Sequence, residues 1–260
     1  MSAHEITEVM DYIERLDPKI RARMVGASDA EIATLEDITE VPLCDSHRTW
    51  LRHLGNTPFN ALKPLFLDDS LTVADVREYY DLIGHENARK LGRAALLYHR
   101  DGIEKLYTVQ PDDPTADPPL KDVAFSDDGV PIHDDEVYYP SFAAWLAGEA
   151  FYRLSVCRQE FQFVITHSTK YTQAAEAELR ADLEAIAARL EFTRVPQSHG
   201  TYLLYERGHF GLTFGTLLPR DAFGIGVSGS DEKETRRILE IMHDRHGGSI
   251  TRFPRSPFYG

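Results

Sequence analysis

The sequence predicts an α+β protein in which helices pack on a mainly antiparallel mixed sheet. In several segments apolar residues recur at three- and four-residue spacing, which is the period of an amphipathic helix. Other segments alternate apolar and polar residues, or meet at an Asp-Gly turn, as strands and hairpins do. With 42% hydrophobic and 27% charged residues, the 260-residue chain also has the composition of a globular protein large enough for one or two domains.

The first predicted elements are helices. Apolar periodicity predicts a helix over residues 1–16 and a second helix that begins at a Ser28 or Asp29 cap. A third helix is predicted over residues 44–54, with Gly55 as its C′ residue. These three helices are expected to pack in one layer.

Strands enter in the next part of the chain. A further helical region is predicted over residues 71–92, and two strands are predicted to meet at Asp101-Gly102. A short strand at residues 121–125 and a helix over residues 141–154 follow.

The character of the sequence changes after Leu154. The predicted elements are a strand in EFQFVIT, a helix in QAAEAELRADLEAIAARL, strands in TYLLYE, FGLTFGTLL and FGIGV, and a last helix over about residues 231–246. We therefore divide the chain into an α+β domain at residues 1–154 and a C-terminal α+β extension or second small domain at residues 155–260. The sequence does not indicate a role for the second part.

The segment FGIGVSGSD contains the spacing of the dinucleotide-binding fingerprint at Gly224, Gly226 and Gly229. That fingerprint binds pyrophosphate only when its glycines lie in the turn between a strand and a helix. Here apolar alternation runs through the first two glycines and places them inside a strand. We therefore predict glycines that permit close backbone approach, followed by a helix capped by Ser230 or Asp231, and no nucleotide site.

Charge and composition limit the function classes. The chain has 42 acidic and 28 basic residues and a net charge of −14, which disfavours direct nucleic-acid binding through phosphates. No apolar run is long enough to cross a membrane, and the first residues lack the pattern of a secretory signal. The two cysteines, Cys44 and Cys157, are expected to be buried thiols rather than a disulfide or ligand pair. Together these features predict a cytoplasmic protein without cofactor or metal.

Much of the negative charge lies in residues 112–136, DDPTADPPLKDVAFSDDGVPIHDDE. This stretch has nine carboxylates and one lysine, a net charge of −8 and more than half of the excess of the whole chain. Together with Pro111 it holds five prolines, so turn and extended chain are expected. Two interpretations remain open: a solvated loop, and an acidic docking surface.

Four segments, taken in order, resemble the SUKH superfamily. They are GASDAEIATLE at residues 26–36, Pro42 with RTWLRHLGN at 48–56, YTVQPDDP…DPPLKDVAFSDDG, and SFAAWLAGEAF at 141–151. SUKH domains occur as immunity proteins beside bacterial polymorphic toxins and in fungal cell-wall-signalling scaffolds. The resemblance covers roughly residues 20–152. Asn56 departs from the family pattern, which usually has a second glycine or an acidic residue there, and the residues after Leu154 have no counterpart.

The resemblance implies a non-enzymatic protein that binds and neutralises a cognate protein toxin. A toxin that acts on nucleic acid needs a basic face, and complementary carboxylates would steer association with that face. The appended C-terminal region would extend the binding face or form a homodimer. The predicted partner-binding residues are Asp112, Asp113, Asp127, Asp128, Asp134, Asp135 and Glu136, with Tyr138 and Tyr139 as aromatic anchors that could equally pack on the sheet.

Two other function classes stay open at this point. The first is a scaffold or regulatory module of the fungal type, which would bind several weaker partners. The second is a metal-dependent or carboxylate hydrolase. Its best candidate group is Glu240, His243 and His246, three residues apart on one predicted helix, although the spacing matches no metal motif. The pair His167-Ser168 is a weaker candidate, because sequence neighbours need not have side chains that meet.

Overall fold

The structure is a computed structural model that describes residues 2–58, 72–100, 104–125, 131–133, 139, 141–167, 173–198, 202–217 and 222–253. It confirms the α+β prediction, and every pairing between its described strands is antiparallel. The chain divides into two compact units, an N-terminal unit, Met1–Leu146, and a C-terminal unit, Ala147–Gly260. The sequence-based division lies further along, at the end of the same helix. Within the described residues, no helix has the length and apolar character needed to cross a membrane.

Six helices are described in the first part of the N-terminal unit, outside the undescribed residues 59–71. They are α1 (Ser2–Leu16), α2 (Pro18–Arg21), α3 (Asp29–Thr39), α4 (Asp45–Leu54), α5 (Val73–Ile83) and α6 (His85–Lys90). The predicted helical region over residues 71–92 is two helices, since Gly84 between α5 and α6 has φ 82°, a left-handed conformation that ends α5. α7 (Phe142–Leu154) contains the division between the units.

A four-stranded antiparallel sheet completes the N-terminal unit. Its order is β1 (Ala94–Arg100), β2 (Glu104–Val109), β3 (Leu120–Phe125) and β4 (Pro131–His133). β1 and β2 pair as predicted, whereas the Asp101-Gly102 turn lies outside the described residues. The sequence did not predict β4, a three-residue strand too short for a periodic signal.

Helices and sheet of this unit share an aromatic core. α1 packs on α4 through Ile6, Val9 and Ile13, which are fully buried. The ring of Trp50 lies 5.7 Å from that of Phe142, in an edge-on arrangement that aromatic pairs favour. Fully burying side chains of this size contributes about 1.5–3 kcal/mol each, which explains why α4 and α7 are held together.

The described part of the C-terminal unit begins with the end of α7 and continues as a six-stranded antiparallel sheet with two further helices. A 3₁₀ turn (Val156–Arg158) precedes β5 (Phe161–His167), α8 (Gln173–Arg189), β6 (Thr193–Arg194), β7 (Tyr202–Arg207), β8 (Phe210–Leu217), β9 (Ala222–Gly229), α9 (Glu232–His246) and β10 (Ser249–Phe253). The strand order is β10-β5-β9-β8-β7-β6. The predicted strands and helices are all present, and β6 and β10 are additions.

One face of this sheet is covered by α8 and α9. Strand register places Phe163 beside Val227 and Ile165 beside Ile225, and these side chains form one buried cluster with Leu183 of α8 and residues of α9. The predicted alternation of apolar residues along the strands thus becomes a single buried face.

Gly55 corrects one prediction. Its φ is −58°, so it is not a left-handed C′ residue. A Cβ there would instead lie 2.6 Å from the carbonyl oxygen of Leu51 and 2.7 Å from Cβ of Ala27. Close approach of the chain, rather than helix termination, explains this glycine.

The end of α8 places a glutamate where glycine is preferred. Phe192 N–H donates to Ala187 O at 2.9 Å and Glu191 N–H donates to Ala188 O at 3.0 Å, which is the pairing of a Schellman motif. Glu191 has φ 60°, a conformation that costs a non-glycine residue about 1–2 kcal/mol. We expect Glu191→Gly to stabilise the protein by about 1 kcal/mol and to raise Tm by about 2–4 °C in thermal denaturation followed by circular dichroism.

Glu178→Gly is the matched control for this prediction. Glu178 is an exposed residue within the same helix, where glycine costs about 1 kcal/mol relative to good helix formers. The same change of residue should therefore lower Tm at position 178 and raise it at position 191. Equal shifts at both positions would show that the strain at Glu191 is not significant.

Candidate functional site

Two of the segments that carry the SUKH resemblance meet at the end of α4. Ala27 N–H donates to Leu51 O at 2.9 Å, and Asn56 N–H donates to Val25 O at 2.9 Å. A Cβ on Gly26 would lie less than 3.0 Å from the carbonyl oxygen of Arg52, so only glycine fits there. The turn before α3 is therefore held against the last turn of α4 by main-chain contacts.

Asn56, the departure from the family pattern, takes part in this contact. Its Nδ2 donates to both carboxylate oxygens of Glu31 at 3.1 Å and lies 3.4 Å from Gly26 O. Glu31 also closes a capping box with Ser28, as the predicted cap requires. Hydrogen bonds from Ser28 and Asn56 lower the pKa of Glu31, which keeps it ionised at neutral pH.

The start of the acidic stretch is a loop between β2 and β3, residues 110–119, that we call the acidic loop. Cys44 N–H donates to Gln110 Oε1 at 2.6 Å, and Asp45 N–H donates to Pro114 O at 2.9 Å. Gln110 Nε2 in turn donates to Thr108 Oγ1 at 2.6 Å. The first turn of α4 thus anchors the acidic loop, through groups that are mostly buried.

Asp117 fastens the other end of the acidic loop. Its carboxylate accepts from Ser46 Oγ at 3.0 Å, from Ser141 Oγ, and from Ala143 N–H at 3.1 Å in the first turn of α7. Phe142 N–H also donates to Pro118 O at 3.0 Å. This carboxylate is part of the excess charge of the loop, but its oxygens are used within the unit to cap α7.

Asp112 and Asp113, two predicted partner-binding residues, are exposed on this loop. The Asp112 side chain is 97% exposed and forms an ion pair with Arg93, and such an exposed pair contributes little to stability. Asp113 accepts from Thr115 N–H at 2.9 Å and from Thr115 Oγ1 at 2.8 Å, and these hydrogen bonds lower its pKa. Both carboxylates are therefore presented to solvent on an anchored loop.

Most of the other predicted partner-binding residues lie outside the described residues. These are Asp127, Asp128, Asp134, Asp135, Glu136 and Tyr138. Tyr139 is described, and its backbone forms a bridge with Leu120, with N–H···O distances of 2.8 and 3.2 Å. Tyr139 is half-buried, and its role in partner binding stays a prediction.

A groove of about 670 Å³ runs beside the acidic loop. Its walls are residues 40–44, between α3 and α4, and residues 110–112 of the loop. Arg48 and Arg93 face it, but each guanidinium is paired with a carboxylate, Arg48 with Glu36 at 2.6 Å and Arg93 with Asp112. The groove is thus lined by prolines, by other apolar groups and by the ion pairs of Arg48 and Arg93.

The buried polar groups next to this groove do not form a nucleophile and base. Burial raises the pKa of the Cys44 thiol to about 11, so the reactive thiolate is scarce at neutral pH. Complete burial lowers the pKa of His47 to about 3, and its Nδ1 lies 2.8 Å from Thr108 Oγ1. His47 thus joins α4 to β2, whereas Cys44 joins α4 to the acidic loop. The prediction that Cys44 and Cys157 are buried, unpaired thiols is confirmed.

Comparison with known proteins does not assign this chain to a family. A search with the whole sequence returned no match, among protein-family models or among curated proteins. The charges and contacts of the N-terminal unit are thus the observations from which a function can be proposed.

The C-terminal unit brings together the three histidines named as metal or acid-base candidates, His167, His243 and His246. Burial lowers the pKa of His167, and so does the charge of nearby His243. Burial and His167 likewise lower the pKa of His246, whose Nε2 is 3.3 Å from Asp182. Glu240 is exposed on α9. Among the residues described in this chain, no three His, Cys, Asp or Glu side chains are placed to hold a metal ion.

The glycines of FGIGVSGSD lie in β9 rather than in a phosphate-binding turn. A Cβ on Gly226 would overlap the Thr213 side chain of β8, and one on Gly229 would overlap Phe210 and Thr235. Asp231 caps α9 as predicted and accepts from Glu234 N–H at 2.7 Å. Close packing therefore accounts for Gly226 and Gly229.

Sequence reasoning missed the anchoring residues of the acidic loop. Asp117 was counted only as one of the charges of the stretch, and Gln110 and His47 were not singled out. Their partners are 24 to 71 residues away along the chain, so local spacing carries no signal for them. The one signal in the sequence for Asp117 was chemical. A carboxylate in an Asp-Pro-Pro sequence within a long charged stretch needs hydrogen-bond donors from elsewhere in the chain if the stretch is to be ordered.

Proposed function

We propose that this chain is a cytoplasmic, non-enzymatic immunity protein that binds and neutralises a basic protein toxin. The observation that carries the proposal is the anchored presentation of Asp112 and Asp113 beside the groove in a protein with a net charge of −14. A loop held at both ends loses little conformational freedom on binding, which favours affinity.

The order of the SUKH-like segments supports the same proposal. The turn at Gly26 contacts the end of α4, and the acidic loop contacts the starts of α4 and α7. Within the N-terminal unit, the described parts of the segments that carry the resemblance are therefore in contact. A protonated thiol and a neutral, buried histidine in that unit also favour binding over catalysis.

Electrostatic attraction gives the proposal a kinetic signature. Carboxylates that face a basic surface can raise association rate constants to about 10⁸–10⁹ M⁻¹s⁻¹ at low salt, and added salt screens them. We therefore expect association with the toxin to slow with ionic strength, while removal of exposed carboxylates slows it at low salt.

The test begins with the tagged protein as bait in its native cells, washed at low and high salt. A basic protein captured in equal amounts, toxic when expressed alone and harmless with this chain, is the expected result. The double variant Asp112→Asn with Asp113→Asn should then slow association several-fold, and changes at residues 127, 128, 134 and 135 should slow it further.

A matched control separates local from overall charge. Glu178→Gln with Glu191→Gln removes the same two charges from exposed positions in the C-terminal unit. It should leave the association rate within about twofold of the original. Equal slowing by both double variants would argue against a docking surface on the acidic loop, and several weak partners without rescue of toxicity would favour a scaffold.

A further inference from the structure

The two edges of the C-terminal sheet differ. At one edge, β6 has only two residues, and Arg194 there is held by Ser198 O at 2.8 Å. At the other edge, β10 has five residues, and among the described strands it pairs only with β5. A strand edge of this kind presents backbone N–H and C=O groups that can pair with another strand.

β10 lacks the usual protection of an edge strand. Its sequence, SITRF, contains neither proline nor lysine, and all five residues are exposed. Ile250 and Phe253 are each 46% exposed, among the few large apolar side chains described as exposed in this chain. Register places Ile250 beside Ile165 and Phe253 beside Gln162, on opposite faces of the sheet. Each face of this edge therefore carries one exposed apolar side chain.

The single charge of β10 is held on its own sheet. The guanidinium of Arg252 lies 5.7 Å from the ring centre of Phe161 and 5.9 Å from that of Phe163, within cation–π range. A side chain fixed in this way does not project from the edge to repel an incoming strand. The strand is long enough for a partner, and its one charge opposes a second copy only in a register that places Arg252 beside Arg252.

We infer that β10 pairs with β10 of a second copy of this chain, antiparallel across a two-fold axis at Thr251. In an antiparallel pair, two opposed residues either both point their N–H and C=O groups at each other or both point them away. A two-fold axis between two copies of one strand therefore has to pass between a residue and its own copy. Centring on Thr251 pairs all five residues. Thr251 then faces itself, Ile250 faces Arg252, and Ser249 faces Phe253.

Neighbouring registers are less favourable. Centring on Arg252 places two guanidiniums opposite each other, and like charges in that position are destabilising. Centring on Ile250 requires Gly247 and Gly248 to be strand residues, but their φ values are 70° and 103°. The self-complementary register is therefore the one that joins two six-stranded sheets without a like-charge pair.

Mass measurement by light scattering over about 1 to 100 µM is the first test. We expect a concentration-dependent species of twice the 29.5 kDa chain mass. Thr251→Glu and Thr251→Lys should each raise the dissociation constant about fivefold at low salt, because each puts like charges opposite across the axis. An equimolar mixture of the two variants should restore dimers, which a folding defect in either variant would not allow.

Cross-linking tests the register. Directly opposed residues have Cα atoms about 4.5–5.5 Å apart, within the range of a disulfide. Thr251→Cys should therefore form a disulfide-linked dimer under mild oxidation. Ser230→Cys, an exposed position in the turn between β9 and α9, is the control, and the native thiols are buried.

A chain that stays monomeric over this concentration range overturns the inference. So does a Thr251→Cys variant that cross-links no faster than Ser230→Cys, or a mixture of charge variants that fails to associate. Protection of β10 amides from hydrogen exchange only when a toxin is added would assign this edge to the toxin instead of a second copy.

Discussion

Gly26→Ala should destabilise the N-terminal unit by about 3–5 kcal/mol. The new methyl group would overlap the carbonyl oxygen of Arg52, which is main chain of α4 and cannot move aside as a side-chain end can. Relief requires the turn to leave α4, with loss of the Ala27–Leu51 and Asn56–Val25 hydrogen bonds, each contributing about 1 kcal/mol.

Tryptophan fluorescence measures this effect selectively. The two tryptophans of the chain, Trp50 and Trp145, are both in the N-terminal unit and are 0% and 4% exposed. Their emission should shift as that unit unfolds in denaturant, and the midpoint should fall in the Gly26→Ala variant.

Gly148→Ala is the control for the change from glycine to alanine, and it is followed by circular dichroism because Gly148 lies in the C-terminal unit. Gly148 lies inside α7, and a Cβ there has no atom within 4 Å. Alanine should stabilise the helix by about 0.5–1 kcal/mol. If Gly26→Ala were tolerated equally well, the close contact between the turn and α4 would not exist as described.

Asp117→Ala should cost about 2–4 kcal/mol, with little direct effect on partner association. The change removes the acceptor of Ala143 N–H at the start of α7, worth about 1 kcal/mol. It also leaves the hydroxyl of Ser46, which is fully buried, without its acceptor, at a cost of about 1–3 kcal/mol. Denaturant unfolding followed by tryptophan fluorescence checks this value.

Asp112→Ala tests whether the exposed carboxylates of the acidic loop differ in role from Asp117, whose carboxylate is hydrogen-bonded within the unit. Its side chain is almost fully exposed, and its ion pair with Arg93 contributes about 0–1 kcal/mol. We expect Asp112→Ala to leave stability nearly unchanged and to slow association with the toxin, whereas Asp117→Ala lowers stability. A reversal of these effects would contradict the roles assigned to both residues.

The acidic loop illustrates what local sequence could predict. Prolines and carboxylates in residues 112–136 predict turn and extended chain, and the described part, residues 110–119, is a loop between two strands. They do not reveal that Asp117 faces inward and Asp112 outward. That difference depends on Ser46 and Ser141, residues 71 and 24 positions away, which no spacing rule connects to Asp117.

The glycines also show what local sequence can and cannot predict. Apolar alternation placed Gly224 and Gly226 within a strand, as they are, because that pattern depends only on neighbouring residues. Gly55 was predicted to end α4 through a left-handed conformation, but its role is contact with Ala27 across the unit. A glycine in sequence is compatible with either role, and only the packing partner distinguishes them.

By itself the sequence determined the longer helices and strands, and with them the α+β class, because periodicity arises from contacts within a few residues. It also determined the large negative charge that makes a basic partner plausible. Only the tertiary structure decided which carboxylates are used internally, which glycines are required by close contact, and that β10 pairs only with β5 among the described strands. These properties depend on residues distant in the chain, whose meeting is set by burial of the whole core rather than by local pattern.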